Sequence, residues 1–148
     1  MRFSAKGEYG VRAILDIALY GERSPVRVRE IARRQAIPMR FLEQVVASLK
    51  KGGLVESYRG ARGGYRLARP AREISLADVI QAVEGPIALV ECIGEEVSVC
   101  DQVSICVIRD IWRDVQDSVL EALDSVSLES VCRRKIKRDN EGASMYHI

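Results

Sequence analysis

Three cysteines lie close together in the second half of the chain: Cys92, Cys100 and Cys106, separated by seven and then five residues. Thiolates are the ligands that soft metal ions and iron–sulfur clusters prefer, and ligands on one short flexible stretch converge easily on a single centre. The last of the three enters a predicted long helix, whose N-terminus favours the thiolate form of a nearby cysteine. The spacing therefore predicts a soft-metal or iron–sulfur site.

Other uses of these thiols stay open. Structural zinc is disfavoured because paired C-x2–4-C knuckles are missing, whereas a metal-free redox switch would use the same residues to form disulfides. Three unrelated core cysteines would share no chemistry at all. The fourth cysteine, Cys132, is expected to be a small buried apolar residue. The one histidine, His147, lies in the tail, and no nucleophile–base set accompanies it, so an enzyme is not predicted.

Charge divides the chain into two unlike halves. Residues 1–72 hold 16 Lys/Arg and 6 Asp/Glu, whereas residues 73–148 hold 7 and 15. A basic first half is typical of a module that binds a polyanion, and here it is joined to an acidic part with a different function.

With 47% hydrophobic residues in a 148-residue chain, a folded core is expected. No apolar run approaches the ~20 residues of a membrane span and no signal-peptide pattern is present, so a soluble, cytoplasmic protein without a membrane partner is predicted.

Apolar periodicity predicts three helices in the basic half. The first follows the candidate N-cap Ser4 and runs to about Tyr20. A short helix is predicted around residues 29–35, and Pro38 opens a third that runs to about Lys51; the short link between the two is Ala36-Ile37-Pro38. Two helices at this spacing are typical of a helix-turn-helix, in which the second helix enters the major groove of DNA.

A short hairpin is predicted directly after the third helix. Residues 54–58 and 65–67 have strand character and flank the sequence RGARGG. Its glycines permit a tight turn, and its arginines, Arg59 and Arg62, suit a narrow minor groove with enhanced negative potential. The predicted fold is therefore mostly α with a small β wing: a winged helix-turn-helix followed by a long helix.

The acidic half is predicted to hold the long helix and little else that is regular. A short helix over residues 75–83 stops at Gly85-Pro86, and Ser104 is the expected N-cap of a long helix to about Leu123 with an apolar stripe suited to dimerisation. One or two further turns are expected over residues 128–134. The predicted division is a DNA-binding domain at 1–84, a cysteine-bearing loop at 85–103, a dimerisation region at 104–132 and a frayed polar tail at 133–148.

Three stretches of the chain form a specific pattern: the opening MRFSAKGEYGVRAILDIAL, the run FLEQVVASLKKGGLVESYRGARGGYRLARP, and the three cysteines followed by IWRDV. Over about residues 1–130 this pattern resembles the Rrf-type transcriptional regulators. Branches of that family control iron–sulfur cluster assembly, sense nitric oxide, respond to iron or regulate cysteine metabolism. The resemblance implies a homodimer that binds a double-stranded DNA operator, with the long helices crossing at the dimer interface.

The resemblance also implies roles for particular residues. Arg40, Glu43 and Gln44, with Phe41 beside them, would face the major groove, and the two wing arginines would reach the minor groove. The three cysteines would hold an iron–sulfur cluster, with 2Fe–2S favoured over 4Fe–4S. The cluster-biogenesis branch has a histidine three residues after its third cysteine, and Arg109 stands there in this chain. The fourth ligand therefore stays open, and Glu8 of the partner subunit is a candidate.

The expected function is a homodimeric DNA-binding transcriptional regulator, of repressor type, that senses cluster status, iron, nitric oxide or redox state. Two alternatives remain: a cluster-free thiol redox switch and a regulator controlled by a partner enzyme of cysteine metabolism. The cysteine-metabolism branch lacks this cysteine loop, which counts against the second alternative.

Overall fold

The computed structural model describes residues 2–94, 100–102 and 104–146. Its regular elements, in chain order, are α1 (Ala5–Tyr20), α2 (Val28–Gln35), α3 (Met39–Lys51), β1 (Val55–Tyr58), β2 (Gly64–Leu67), α4 (Leu76–Glu84), α5 (Val107–Asp124) and α6 (Leu128–Met145), with single 3-10 turns at Ala71–Glu73 and Glu91–Ile93. Three helices followed directly by a two-stranded hairpin form the predicted winged helix-turn-helix.

The core of this domain surrounds α1, which packs against α2, α3, α4, α6 and β2. Ile14 of α1, Ile31 of α2 and Leu42 and Leu49 of α3 are fully buried. On α3 the buried residues Leu42, Val45, Val46 and Leu49 recur at the three- and four-residue steps of an amphipathic helix face. Each buried aliphatic side chain contributes about 1.5–3 kcal/mol relative to an exposed one, so this cluster is the main source of stability.

Two glycines let α4 cross closely over the start of α1. A Cβ added to Gly7 would lie 2.2 Å from Oε1 of Glu84, and one added to Gly10 would lie 2.8 Å from Cγ2 of Val83. The same Glu84 carboxylate accepts hydrogen bonds of 2.7 Å from both the backbone N–H and the hydroxyl of Ser4, the N-cap of α1. Donors at a helix start are thereby satisfied from the end of another helix.

A buried carboxylate fixes α2 against α1. Asp16 of α1 is completely buried, and Arg34 of α2 donates to both of its oxygens at 2.7 and 2.9 Å. Gln35 adds a third donor at 3.0 Å, and the Arg34 guanidinium lies 4.2 Å from the ring centroid of Tyr20. A buried charge is tolerated only when it is paired and hydrogen-bonded, so this network fixes the position of α2 against α1.

The wing is an antiparallel pair in which Val55 faces Leu67 and Tyr58 faces Gly64. Its base is anchored because Val26 and Tyr65 exchange backbone hydrogen bonds of 2.9 and 2.8 Å. Gly64 has a φ of +149°, and a Cβ there would lie 2.5 Å from the carbonyl oxygen of Val26. Only glycine fits this close approach, so the anchor itself requires that residue.

The second half departs from the sequence prediction at two places. The N-cap of α5 is Cys106, two residues after the predicted Ser104. The frayed tail predicted from residue 133 is wrong for the described residues, because α6 continues to Met145. Ion pairs one helical turn apart accompany the extension: Glu129 with Arg133 at 3.0 Å and Lys137 with Glu141 at 3.9 Å. Such pairs support an exposed helix.

The start of α6 is joined to the winged-helix part of the chain, so the two halves of the chain are in contact. The N–H of Leu76 donates to Val126 at 2.9 Å, and the N–H of Leu128 donates to Ile74 at 2.7 Å. Leu128 is fully buried in the domain core. Among the described residues, no helix is both long and apolar enough to cross a membrane.

Candidate nucleic-acid interface and cysteine segment

The exposed face of α3 carries every residue that the sequence assigns to the major groove. Because the apolar side chains of this helix point into the core, Arg40, Glu43 and Gln44 lie on the opposite, exposed face. Phe41 stands beside them with 55% of its surface exposed and its ring centroid 6.5 Å from that of Tyr9. An exposed helix face with both donors and acceptors is suited to hydrogen-bonding base edges.

The turn of the wing presents the two predicted arginines to solvent. Arg59 and Arg62 are both exposed in the connection between β1 and β2. Gly60 lies between them with a φ of +104°, a conformation that favours glycine. The wing therefore ends in a compact turn that carries two exposed, positively charged side chains.

Arg27 is a further residue of this surface, and the sequence did not predict its place there. Arg27, just before α2, donates from its guanidinium to the carbonyl of Ala61 in the wing turn. Its backbone N–H donates to the Glu30 carboxylate at 3.0 Å, so the same residue also organises the start of α2. The one available sequence signal was a glutamate in the first turn of a helix; the contact with the wing is tertiary.

Replacing Arg59 with alanine is expected to weaken specific DNA binding at fixed salt by about 1–3 kcal/mol, because an exposed wing arginine that reaches a base edge or the minor groove carries energy of that size. Fluorescence anisotropy with a labelled operator duplex measures the change. Arg72→Ala is the matched control, since Arg72 is exposed outside the wing and α3. Equal affinities of the two variants for the operator duplex would show that Arg59 of the wing does not contribute to DNA binding.

The cysteine segment meets the N-terminus of α5. Cys92 lies in the turn Glu91–Ile93 and is partly buried, Cys106 is the N-cap of α5 and is also partly buried, and Cys100 is exposed. Arg109, in the first turn of α5, donates from Nε to the carbonyl oxygen of Cys92 at 2.9 Å. This hydrogen bond connects the segment that carries the first cysteine to the helix that begins with the third.

Cysteine thiols suit an iron–sulfur cluster, but the described part of the structure does not bring three such ligands together. Among residues 2–94, 100–102 and 104–146, no three Cys, His, Asp or Glu side chains lie close enough together to hold a metal ion. The stretches 95–99 and 103, which connect the cysteines, fall outside the described part, as does His147. Glu8 is exposed in the first turn of α1. Within the described part of the chain it does not form a metal-binding group with two cysteines.

Cys132 lies away from this segment, on α6. It lines a cavity of about 540 Å³ that is bounded by the end of α1 and the base of the wing. Burial raises the pKa of its thiol above the ordinary value, which disfavours the thiolate that a metal would bind. The prediction that Cys132 is a packed apolar residue agrees with this half-buried position.

Comparison with known proteins supports the same interpretation. Residues 3–134 match the Rrf2 family, iron-dependent transcriptional regulators. Over 142 residues the chain is 39% identical to the HTH-type transcriptional regulator IscR of Photorhabdus laumondii subsp. laumondii, covering 96% of this chain and 85% of that protein.

Two solved structures share the fold. T. potens IscR matches with a TM-score of 0.73 at 36% identity, covering 91% of this chain and 88% of that one. CymR, the global cysteine regulator of B. subtilis, matches with a TM-score of 0.73 at 34% identity, covering 90% and 98%. The predictions of a winged-helix regulator and of a protein that is not an enzyme are thereby confirmed. The chain belongs to the Rrf2 family of DNA-binding transcriptional regulators.

Proposed function

We propose that the protein is a homodimeric, cytoplasmic repressor whose affinity for a double-stranded operator depends on an iron–sulfur cluster held by its three closely spaced cysteines. The observation that carries the proposal is the junction at α5. One cysteine begins this helix, another is hydrogen-bonded to it through its backbone, and the helix leaves an apolar face exposed. Ligand binding at the cysteines would thus act on the element that joins the subunits.

DNA binding is assigned to α3 and the wing. Arg40 is suited to guanine or a phosphate, Gln44 to adenine, and Glu43 to the N4 amino group of cytosine, while Phe41 offers apolar contact to a thymine methyl group. Arg59 and Arg62 are assigned to the minor groove beside them. The exposure of all six side chains supports this assignment.

Replacing Glu43 with alanine is expected to relax discrimination at one or two base pairs by about 1–3 kcal/mol while changing the best affinity little, because a carboxylate near DNA gains only from base donors and is repelled by phosphates. Binding to a panel of single-substituted duplexes measures the discrimination. A uniform gain in affinity for every duplex would instead identify Glu43 as a repulsive bystander.

Dimerisation is assigned to α5 from its two faces. One face carries exposed apolar side chains, including Ile108, Ile111 and Val115, of which Ile111 is 55% exposed. The opposite face carries an acidic series at steps of four and three residues: Asp110, Asp114, Asp117, Glu121 and Asp124. Like charges disfavour association through the acidic face, whereas burial of the apolar face is favourable. A second copy of α5 is the partner that this pattern suits.

Replacing Ile111 with glutamate is expected to raise the dimer dissociation constant at least about tenfold, because it puts an unpaired charge into the apolar interface. Analytical ultracentrifugation across a concentration series gives that constant. Arg113→Gln is the control, since it makes the same change of −1 in net charge at an exposed position two residues away, on nearly the opposite side of the helix. Dissociation constants that agree for Ile111→Glu and the wild type would place the interface elsewhere.

The cluster is assigned to Cys92, Cys100 and Cys106, with Glu8 of the partner subunit as the candidate fourth ligand and 2Fe–2S as the favoured type. When bound, the cluster supplies an iron centre that responds to iron supply, nitric oxide or oxidants. The chain contributes three cysteine side chains as ligands, and one of them, Cys106, is the N-cap of α5. A carboxylate as fourth ligand is harder than a thiolate and makes that corner more labile, as a sensor requires.

Anaerobic purification followed by visible absorption and iron and sulfide analysis tests the cofactor assignment. The proposal predicts visible charge-transfer bands with iron and sulfide in equal amounts. A colourless protein whose DNA affinity changes on thiol oxidation would support the metal-free redox switch instead. A colourless protein that is insensitive to oxidants would favour control through a partner enzyme of cysteine metabolism; the structural similarity to CymR is compatible with that alternative without favouring it.

A further inference from the structure

Two polar side chains of α5 hold the backbone of the segment that carries Cys92. Arg109 donates from Nε to the carbonyl oxygen of Cys92 at 2.9 Å, and the side-chain oxygen of Gln116 accepts from the N–H of Leu89 at 3.1 Å. Residues seven apart on a helix lie on the same face, two turns from each other. One face of α5 is therefore hydrogen-bonded to the segment at two points.

These hydrogen bonds matter because the apolar packing between the segment and α5 is loose. A cavity of about 510 Å³ lies there, lined by Leu89 and Val90 on one side and by Trp112 and Val115 on the other. Within the segment, the backbone hydrogen bonds at Ile93 and Gly94 are local and reach back only three residues. Loose apolar contacts fix position poorly, whereas a directional hydrogen bond from a charged donor fixes it well.

We propose that Arg109 and Gln116 are positioning residues that set the place of Cys92 relative to α5, and that they couple the state of the cysteines to the dimerisation helix. Only the cluster-dependent part of this inference rests on the proposed function. Arg109 acts as a donor to the backbone and not as a ligand, because a guanidinium offers five N–H donors and no acceptor, and Nε is engaged with the carbonyl oxygen of Cys92. Loss of either hydrogen bond would free Cys92 to move independently of α5.

The first test uses the cluster-free protein, so it does not depend on the cofactor. Arg109→Met removes the donor and keeps most of the apolar stem, Arg109→Lys keeps a charged donor, and Arg113→Met is the control on an exposed arginine of the same helix. Alkylation by iodoacetamide is followed separately at each cysteine by mass spectrometry. We expect Cys92 to react about tenfold faster in Arg109→Met, as loss of a charge-assisted hydrogen bond predicts. The lysine variant should restore part of the protection.

The second test measures how long anaerobically purified protein retains its iron in the presence of a chelator. Arg109→Met and Gln116→Met should shorten the half-life several-fold, while Arg113→Met should not. Unchanged alkylation of Cys92 in both Arg109→Met and Gln116→Met would overturn the inference. If the wild type binds no iron but Cys92 still becomes reactive in these variants, the positioning role stands and the proposed cofactor falls. Thermal unfolding of each variant verifies that the chain remains folded.

Discussion

Single replacement of Cys92, Cys100 or Cys106 by alanine is expected to leave the anaerobically purified protein with little or no bound iron and sulfide. All-cysteine clusters use four protein ligands, and this loop provides three, so no spare thiolate compensates for a loss. The three cysteines are separated by short stretches, so they can converge at a small entropic cost. Iron and sulfide analysis beside visible absorption gives the result for each variant.

Two further variants define the ligand set. Cys132→Ala should keep the cluster, because α5 separates Cys132 from the other cysteines by about 27 Å of helix and its half-buried thiol has a raised pKa. Glu8→Ala should make the cluster more labile if that carboxylate completes the site from the partner subunit. A Cys132→Ala protein that loses its cluster, together with a Glu8→Ala protein that keeps it unchanged, would overturn the assignment.

Replacing Arg34 with methionine is expected to lower the free energy of unfolding by about 3 kcal/mol, the lower end of what breaking a buried ion pair costs. Asp16 would remain fully buried with Gln35 as its one side-chain donor in the described structure. The lower end applies because the arginine is itself partly exposed, so water can reach the carboxylate once it is removed. Urea denaturation followed by circular dichroism measures the change.

Arg33→Met is the matched control for that prediction, because Arg33 is its exposed neighbour on α2. It should change the free energy of unfolding by less than about 0.5 kcal/mol. A double variant in which Asp16→Leu accompanies Arg34→Met should recover much of the stability, since no buried charge is then stranded. Equal stability of Arg33→Met and Arg34→Met would show that the Asp16 network does not hold α2 in place.

The DNA-binding domain was predictable because local signals and the tertiary fold agree there. Ser4 caps α1 as expected, the predicted end of α3 at Lys51 is observed, and the wing follows directly. What no local pattern revealed was the reason for particular residues. Asp16 looks like an ordinary helix charge in the sequence, and its burial depends on an arginine eighteen residues away. Gly64 similarly depends on a contact with Val26.

The end of the chain was less predictable because α5 and α6 bury few side chains. None of the side chains of α5 is buried in the described chain, so no buried apolar residue marks where this helix begins, and its N-cap, Cys106, is not one of the usual capping residues. Charge pairs one turn apart accompany the full length of α6, whereas composition alone presents these residues as a polar tail. The exposed face of α3 was predicted correctly because its periodicity is strong. The approach of the cysteines to one another stays a prediction.

The proposed function requires that the cysteine-bound cluster sets the affinity for DNA. The direct measurement is anaerobic titration of one labelled duplex, selected from a random library by the protein as purified, with cluster-bound protein and with the same preparation after the cluster is removed by a chelator. We expect the dissociation constant to change at least about tenfold at fixed salt, an ordinary allosteric coupling. We also expect the Cys106→Ala protein to behave like the cluster-free form. Dissociation constants that agree within twofold for the two forms would show that the cluster does not set the affinity for DNA.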